Sequence, residues 1–423
     1  MNKHTTFYRY LFWVILVLIT GFVVVIGIST VWRADINSFL KADLIHRLRY
    51  ILTGVGLVAL IGYLLRYGKS WAKGTIISAL IFMIFWLILE GLCGMILFWK
   101  ERHQLSFSGR KLEKRATSRN NNFRLIRNDE LGFSRPAPGQ YESIYSTAKG
   151  EVRITYHIDS LSRRITPFDT RQATGKYAVF LGCSFTYGES VADSSTMPYF
   201  FGKETGYRPY NYGVSGHSPA HMLAILQTIN IRKQILEKSG VAFYTYIDDH
   251  LARVSPSTTW AYNSSGYLPS VNPAKLVVDG SYAQTHPVRL KLVQWMYKSN
   301  IIKLFKINFP RRYSTKQYQH FANIVRKAKD LYQSQFGNDN FYVIIFPEYP
   351  LDPELRQMFE QSNLKLLDYS KLLSWLTMPA ADGMHPDGDT YRKVAQQLAK
   401  DVGRETNRNS LDQQNLAYSN GLK

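Results

Sequence analysis

The stretch YAVFLGCSFTYGES, Tyr177 to Ser190, decides the fold. Five apolar residues run into Gly-Cys-Ser, and Gly188 closes the turn behind them. A continuous apolar run ending at glycine marks a parallel strand buried on both faces, ending at the carboxyl edge of a sheet. That edge is where α/β proteins place their chemistry. Ser184 is therefore either a turn residue or a nucleophile, and the remainder of the chain has to decide.

Downstream of this stretch the rhythm is α/β. Strand candidates are YAVFLG (177–182), RPYNYG (208–213), VAFYTYI (241–247), FYVIIF (341–346) and LKLLDY (364–369). Helical stretches fall between them, such as HMLAILQTINIRKQILEKSG with Gly240 as its expected C-cap. Such alternation implies a parallel sheet covered on both faces. Residues 254–340 read as an insertion. Its first half holds a hairpin expected to turn at Asp279-Gly280, a wall or lid over the active face or else an ordinary surface excursion. Its second half is an amphipathic helix ending at Gly337.

A serine hydroxyl needs a base to take its proton, and the base needs a carboxylate to orient it. ADGMHPDGDTYRKVAQQLA supplies both, with Asp382 three residues before His385 and Pro386 leading into a helical run. An acid at that spacing can fold back onto the imidazole while the other ring nitrogen faces the serine.

GCSFTYG, YNYGVSGHS and DGMHP, in that order, resemble the first, second and fifth sequence blocks of the SGNH (GDSL-type) hydrolases, over about half the chain, Tyr177 to Val402. ITYHIDSLSRRITP resembles the segment preceding this domain in membrane-anchored bacterial members. The resemblance implies a flavodoxin-like three-layer sandwich with a parallel sheet, and ester hydrolase or acyltransferase activity. It implies Ser184 as nucleophile, His385 as general base and Asp382 as its orienting partner. The oxyanion donors would be the backbone N–H groups of Ser184 and Gly213. Asp248 stands where the family usually has an asparagine donor: an ionised carboxylate would repel an oxyanion, a protonated one could donate to it, and Asp248 and Asp249 could equally cap the following helix. Cys183 occupies the position that is often aspartate in the first block, beside the implied nucleophile and without a histidine arranged to serve it.

Other histidines offer weaker chemistry. His217 and His221 are spaced as a metal pair, but no cysteine or acidic pair nearby completes a ligand set, and His250 beside two aspartates reads as a loop or capping residue. The sequence calls for no cofactor and no metal.

Before the α/β region lies a membrane anchor, residues 1–99. Tyr10 to Trp32 carries no charge over 23 residues, and Thr75 to Phe98 is a second apolar run interrupted by Glu90. Tyr50 to Leu65 is shorter, flanked by Arg49 and Arg66, whose stems can snorkel to the interface. About three transmembrane helices, 10–32, 50–65 and 75–98, therefore precede the catalytic domain of 177–402. Between anchor and domain lie a basic juxtamembrane linker (100–135) and a small β-containing lead-in (136–176), where Val152, Ile154, Tyr156 and Ile158 alternate. Residues 403–423 read as a disordered polar tail.

Lysine and arginine total 52 against 31 acids, a net charge of +21. This balance suits nucleic acid, anionic lipid or an acidic glycan. Only Phe107 and Phe123 interrupt the basic linker, too few stacking aromatics for nucleic acid, so the expected partners are the lipid bilayer and an acylated small molecule or envelope glycan. The resemblance places the catalytic domain outside a bacterial plasma membrane. The positive-inside count points the other way, with ten basic residues on the domain's side of the spans against five. The competing reading is a non-catalytic envelope scaffold or glycan binder whose SGNH site is degenerate at Asp248.

Overall fold

The computed structural model describes residues 62, 66–67, 69–103, 118–121, 124–147, 150–376 and 379–420. The chain divides into two compact units between Cys93 and Gly94. The expected spans at 10–32 and 50–65 lie outside the described residues, residue 62 apart. The third coincides with helix α1, Ser70–His103. Within it Lys73–Lys100 includes an 18-residue stretch of mean hydropathy 2.4, and it is the one helix among the described residues long and apolar enough to cross a membrane. At 1.5 Å per residue it is about 42 Å long, against a hydrocarbon core of about 30 Å. Ile81, Phe82, Phe85, Ile88 and Leu92 are exposed along it, as in a helix solvated by lipid.

Part of the expected linker is folded. Strand β1 (Ser118–Asn121) pairs antiparallel with β4 (Gly139–Thr147), and β2 (Leu125–Asn128) with β3 (Phe133–Pro136). Strand β5 (Gly150–Ile158) completes an antiparallel hairpin with β4, with Tyr156 and Ile158 buried as their alternation predicts.

The main sheet has five parallel strands: β6 (Lys176–Leu181), β7 (Arg208–Asn211), β8 (Ser239–Tyr246), β11 (Phe341–Ile345) and β12 (Lys365–Asp368). Their spatial order is β12-β11-β8-β6-β7. In chain order that is 2-1-3-4-5, the flavodoxin-like arrangement. All five expected strands are present. Helices α2 (Ser184–Tyr187), α3 (Met197–Thr205) and α4 (Pro219–Thr228) follow the first strands. Val179 and Leu181 of β6 pack on one side into a core shared with α4, whereas Ala178 and Phe180 pack on the other with Phe201 of α3. Burial of both faces explains why this strand is apolar throughout.

The helix expected over 221–240 ends early. It stops at Thr228, whose Oγ1 donates back to Ala224 O at 2.7 Å, and a short 3-10 turn covers Ile231–Gln234. Gly240 caps no helix. It lies in β8, where a Cβ would come within 2.1 Å of Tyr177 O.

After β8 the chain forms α5 (Asp249–Val254) and α6 (Thr258–Asn263), then strands β9 (Pro269–Val271) and β10 (Val278–Ser281). Asp279-Gly280 sits within β10 rather than at the turn. The reversal lies at Asn272, whose side-chain carbonyl accepts from the N–H groups of Ala274 and Lys275. Helices α7 (Tyr282–Thr285), α8 (Pro287–Met296) and α9 (Asn300–Leu304) lead to α10 (Thr315–Phe336). Helix α10 starts at a Ser314–Gln317 capping box and ends at left-handed Gly337, as expected. It is no part of an insertion: Phe321, Val325 and Ala328 are buried in the core beside β11, making α10 the crossover that parallel β8 and β11 require. Helix α11 (Pro353–Gln361) adds Leu355 and Phe359 to the same layer.

Helix α12 (Gly388–Asn420) covers the opposite face, with Tyr391, Val394 and Leu398 fully buried. It is also where the disordered tail was expected. The chain beyond Val402 instead continues this helix to Asn420. Helix-forming residues such as Arg404, Glu405, Leu411 and Gln413–Gln414 allow a polar stretch to extend a helix already nucleated by a packed amino-terminal half.

Candidate active site

The site collects at the carboxyl ends of β6, β7 and β8. Gly182 ends β6 with φ 153°, and a Cβ there would lie 2.3 Å from Thr186 Oγ1. Glycine is thus what permits the chain to fold back tightly into α2. Ser184 opens that helix, so its N–H has no acceptor within the helix. The Cys183 carbonyl accepts from Thr186 N at 3.0 Å and Tyr187 N at 2.8 Å. The Cys183 side chain is fully buried among Phe180, Phe185 and Met197, packed as an apolar group away from solvent.

A four-residue helix leaves its last carbonyls without partners unless side chains supply them. Two buried residues do so here. Asn211 Nδ2, at the end of β7, donates to Thr186 O at 3.1 Å and Tyr187 O at 3.3 Å. Arg164, fully buried although it comes from the lead-in, donates to Tyr187 O at 2.8 Å, to Gly188 O, and to Val191 O at 2.6 Å. Its Nε pairs with Asp193 Oδ1 at 2.8 Å, and its guanidinium lies 4.6 Å and 4.9 Å from the ring centroids of Tyr156 and Tyr187. The whole loop from Tyr187 to Asp193 is therefore wrapped around one arginine.

Asp382 and His385 meet as their spacing predicts. His385 Nδ1 lies 2.5 Å from Asp382 Oδ2, while Asp382 Oδ1 accepts from the N–H groups of Met384 at 2.9 Å and His385 at 3.1 Å. Ala380 N donates to His385 O at 2.8 Å, closing the loop, and Asp387 caps the start of α12 through Thr390 N at 2.8 Å. Burial pushes the Asp382 carboxyl up. The hydrogen bond and charge of His385, with the Met384 N–H, more than offset this and hold it down at about 2. The buried Ser190 hydroxyl, which makes no hydrogen bond of regular geometry, lies close enough to Asp382 to add to that lowering. Ser190 itself is left-handed, φ 63°, with its N–H donated to Tyr156 Oη at 3.0 Å.

The two halves of the site join through Phe185, the residue after Ser184. Its ring packs at 5.4 Å on the His385 imidazole and edge-on to Phe346, Tyr349 and Trp375 at 5.1–5.6 Å. This aromatic cage keeps the histidine against the serine's own turn.

Gly213 is expected to offer its N–H to an oxyanion, and here that group is already engaged. Its N–H is donated to Asn211 Oδ1 at 2.9 Å, and a Cβ there would lie 2.4 Å from Tyr187 N. It is a spacer that lets β7 approach α2. Gly216, three residues on, has φ 82°, open space around it and an N–H with no acceptor among the described residues. Val214 N donates to Gly182 O at 3.2 Å and Ser215 Oγ to the Glu189 carboxylate, so its loop is pinned to both sides of Ser184.

Asp248 lies just beyond β8 at the N-cap of α5, where its carbonyl accepts from Leu251 N at 3.1 Å but its side chain makes no capping bond. Its Oδ1 accepts from Tyr246 Oη at 3.2 Å, and Asp249 turns instead to Arg253 at 3.4 Å. Partial burial, then repulsion from Asp249, raises the Asp248 carboxyl above the ordinary range, against the lowering effect of Tyr246.

His217, His221 and His250 form a buried polar cluster rather than a ligand set, and no group able to hold a metal occurs among the described residues. His217 stacks on His221 at 4.3 Å and lies 2.8 Å from Ser134 O. His221 accepts from Ser218 N at 3.1 Å, and His250 bonds Tyr244 Oη at 2.6 Å. Burial lowers all three, His217 to about 3, so they stay neutral.

No family model and no curated protein matches this chain. Among solved structures, a protein assigned to the lipolytic G-D-S-L family from Desulfitobacterium hafniense DCB-2 is 12% identical, over 53% of this chain and 98% of its own, with a TM-score of 0.27. A member of the lipolytic protein G-D-S-L family from Veillonella parvula DSM 2008 is 13% identical, over 53% of this chain and 97% of its own, with a TM-score of 0.29. Likeness at this level carries no assignment, and the fold rests on the strand order described above.

Proposed function

We propose that the chain is a serine-dependent ester hydrolase or acyltransferase. Ser184 Oγ attacks an acyl carbonyl as His385 takes its proton, and Asp382 fixes the imidazole tautomer and balances the imidazolium. The Ser184 N–H serves the developing oxyanion, with a second backbone donor from the Gly213–Gly216 loop and Asp248 as a third donor while protonated. The leaving alcohol takes the proton from His385. Water or an acceptor hydroxyl, activated by the same histidine, then releases the acyl group from Ser184.

The observation that carries this reading is the 2.5 Å Asp382–His385 pair held against Phe185, next to the serine at the sheet's carboxyl edge. The apolar α1 supports a membrane-anchored enzyme, and the net charge of +21 favours an anionic polymer as the bearer of the ester, an O-acetylated envelope glycan fitting both.

Short-chain p-nitrophenyl ester hydrolysis by the detergent-purified full chain tests the mechanism. Turnover falls by at least about a thousandfold in both Ser184→Ala and His385→Ala. Activity that survives Ser184→Ala sinks the proposal. A chain that neither turns over ester nor takes a fluorophosphonate label at Ser184 is a scaffold, the reading that Asp248 favours.

A further inference from the structure

The surface of α8, α9 and the loop after them combines two features that a water-facing surface seldom combines. Val288, Leu292 and Trp295 are 80%, 54% and 68% exposed at positions i, i+4 and i+7 of α8, one stripe of that helix. The opposite stripe, Leu290 and Val293, is buried on Ala261, Leu268 and Tyr282, so α8 is already fixed to the domain by its other side. Phe305 and Phe309 add 57% and 45% exposed rings just beyond α9. Between Arg289 and Arg312 the chain carries seven lysines and arginines and no acid. All seven are exposed, and none makes an ion pair among the described residues.

Single exposed apolar residues are ordinary. Five on one short segment, set among unpaired cations with a tryptophan at their centre, match the interfacial type: apolar side chains for the acyl boundary and cations for anionic headgroups. We propose that this segment, residues 286–312, is a second membrane contact that lays the domain onto an anionic phospholipid surface. The charge selects that occupant over an apolar protein groove, because each basic residue near an anionic leaflet contributes favourably whereas a protein partner would need a matching acidic face. Resting on such a surface, the domain meets substrate that is itself held at the envelope.

The test uses the full chain in nanodiscs. Cys93 and Cys183 are both buried, so a thiol-directed environment-sensitive dye reports an introduced cysteine. Trp295→Cys carries the probe, and Lys203→Cys, exposed on α3 in the opposite helical layer, is the control. In bilayers of phosphatidylcholine and phosphatidylglycerol containing doxyl-labelled lipid, the dye at 295 loses emission and the dye at 203 does not. Pure phosphatidylcholine, or Lys303→Glu with Lys306→Glu, reduces that loss. Equal emission at both sites overturns the proposal. So does quenching indifferent to lipid charge, or a dye at 295 that is shielded without lipid quenching in proportion to protein per disc, which would mark a second copy as the occupant.

Discussion

Asp382, the proposed orienting partner of His385, also carries a consequence for stability. Burial by itself would favour its neutral form, yet the imidazole at 2.5 Å and two backbone N–H groups keep it ionised to about pH 2. A carboxyl depressed in the folded state stabilises the protein above its unfolded pKa and loses that contribution as the pH falls through its folded value. The window here runs from about pH 4 down to about pH 2. A depression of roughly 2 units corresponds to about 2–3 kcal/mol. Asp382→Asn should therefore lower unfolding stability at neutral pH by about that amount and flatten the acid limb between pH 4 and 2. Denaturant unfolding at a series of pH values measures both, and parallel acid limbs for the two proteins would contradict the assignment.

At the scale of elements, α2 is too short to hold itself in place. Its position comes from Asn211 on one strand and Arg164 on a loop outside the main sheet. Arg164→Met leaves Asp193 buried without its guanidinium and strips Tyr187, Gly188 and Val191 of their donor, a change of the kind that costs about 3–5 kcal/mol. Arg164→Lys should not restore the site, because one ammonium cannot span three carbonyls and a carboxylate. At a temperature where both variants stay folded, ester turnover should show a depressed kcat with KM nearly unchanged, since the nucleophile is displaced and the binding surface is not. A folded Arg164→Met with normal kcat would show the arginine to be merely structural. This is also where reading from sequence reached its limit. The position of Ser184 after a strand and the Asp382–His385 contact were legible because both are local: an apolar run ending at glycine, and an acid and histidine three residues apart. Arg164 was not, because nothing in SLSRRITP distinguishes it from Arg163 until the fold brings it under the turn. Gly213 and Gly216 look alike in YNYGVSG, and only the 2.4 Å approach to Tyr187 N reveals the first as a spacer and leaves the second with a free N–H. Likewise, α10 read as insertion because its role as a crossover depends on which strands it joins.

For the folded molecule, the consequence is that the lead-in is no separate module. Tyr141, Tyr156 and Ile158 of the β4–β5 hairpin share one buried cluster with Tyr187 of α2. Arg164 bridges in backbone register to Ile158 on one side and Asn211 on the other, which ties the hairpin to the edge of the main sheet. His157 reaches Asp193 at 2.6 Å, and the Tyr156 hydroxyl accepts from Ser190 N at 3.0 Å. Apolar burial and buried hydrogen bonds both cross the boundary, so opening the hairpin exposes the same groups that position Ser184. Native-state hydrogen exchange on the full chain in detergent can read this directly. Amides of β5 should open with the same free energy, and the same dependence on denaturant, as those of β6, because neither unfolds without the other. If β5 exchanges through a lower-energy opening that leaves β6 protected, the hairpin is an appended module, and the hold of Arg164 on the nucleophile turn is weaker than its hydrogen bonds imply.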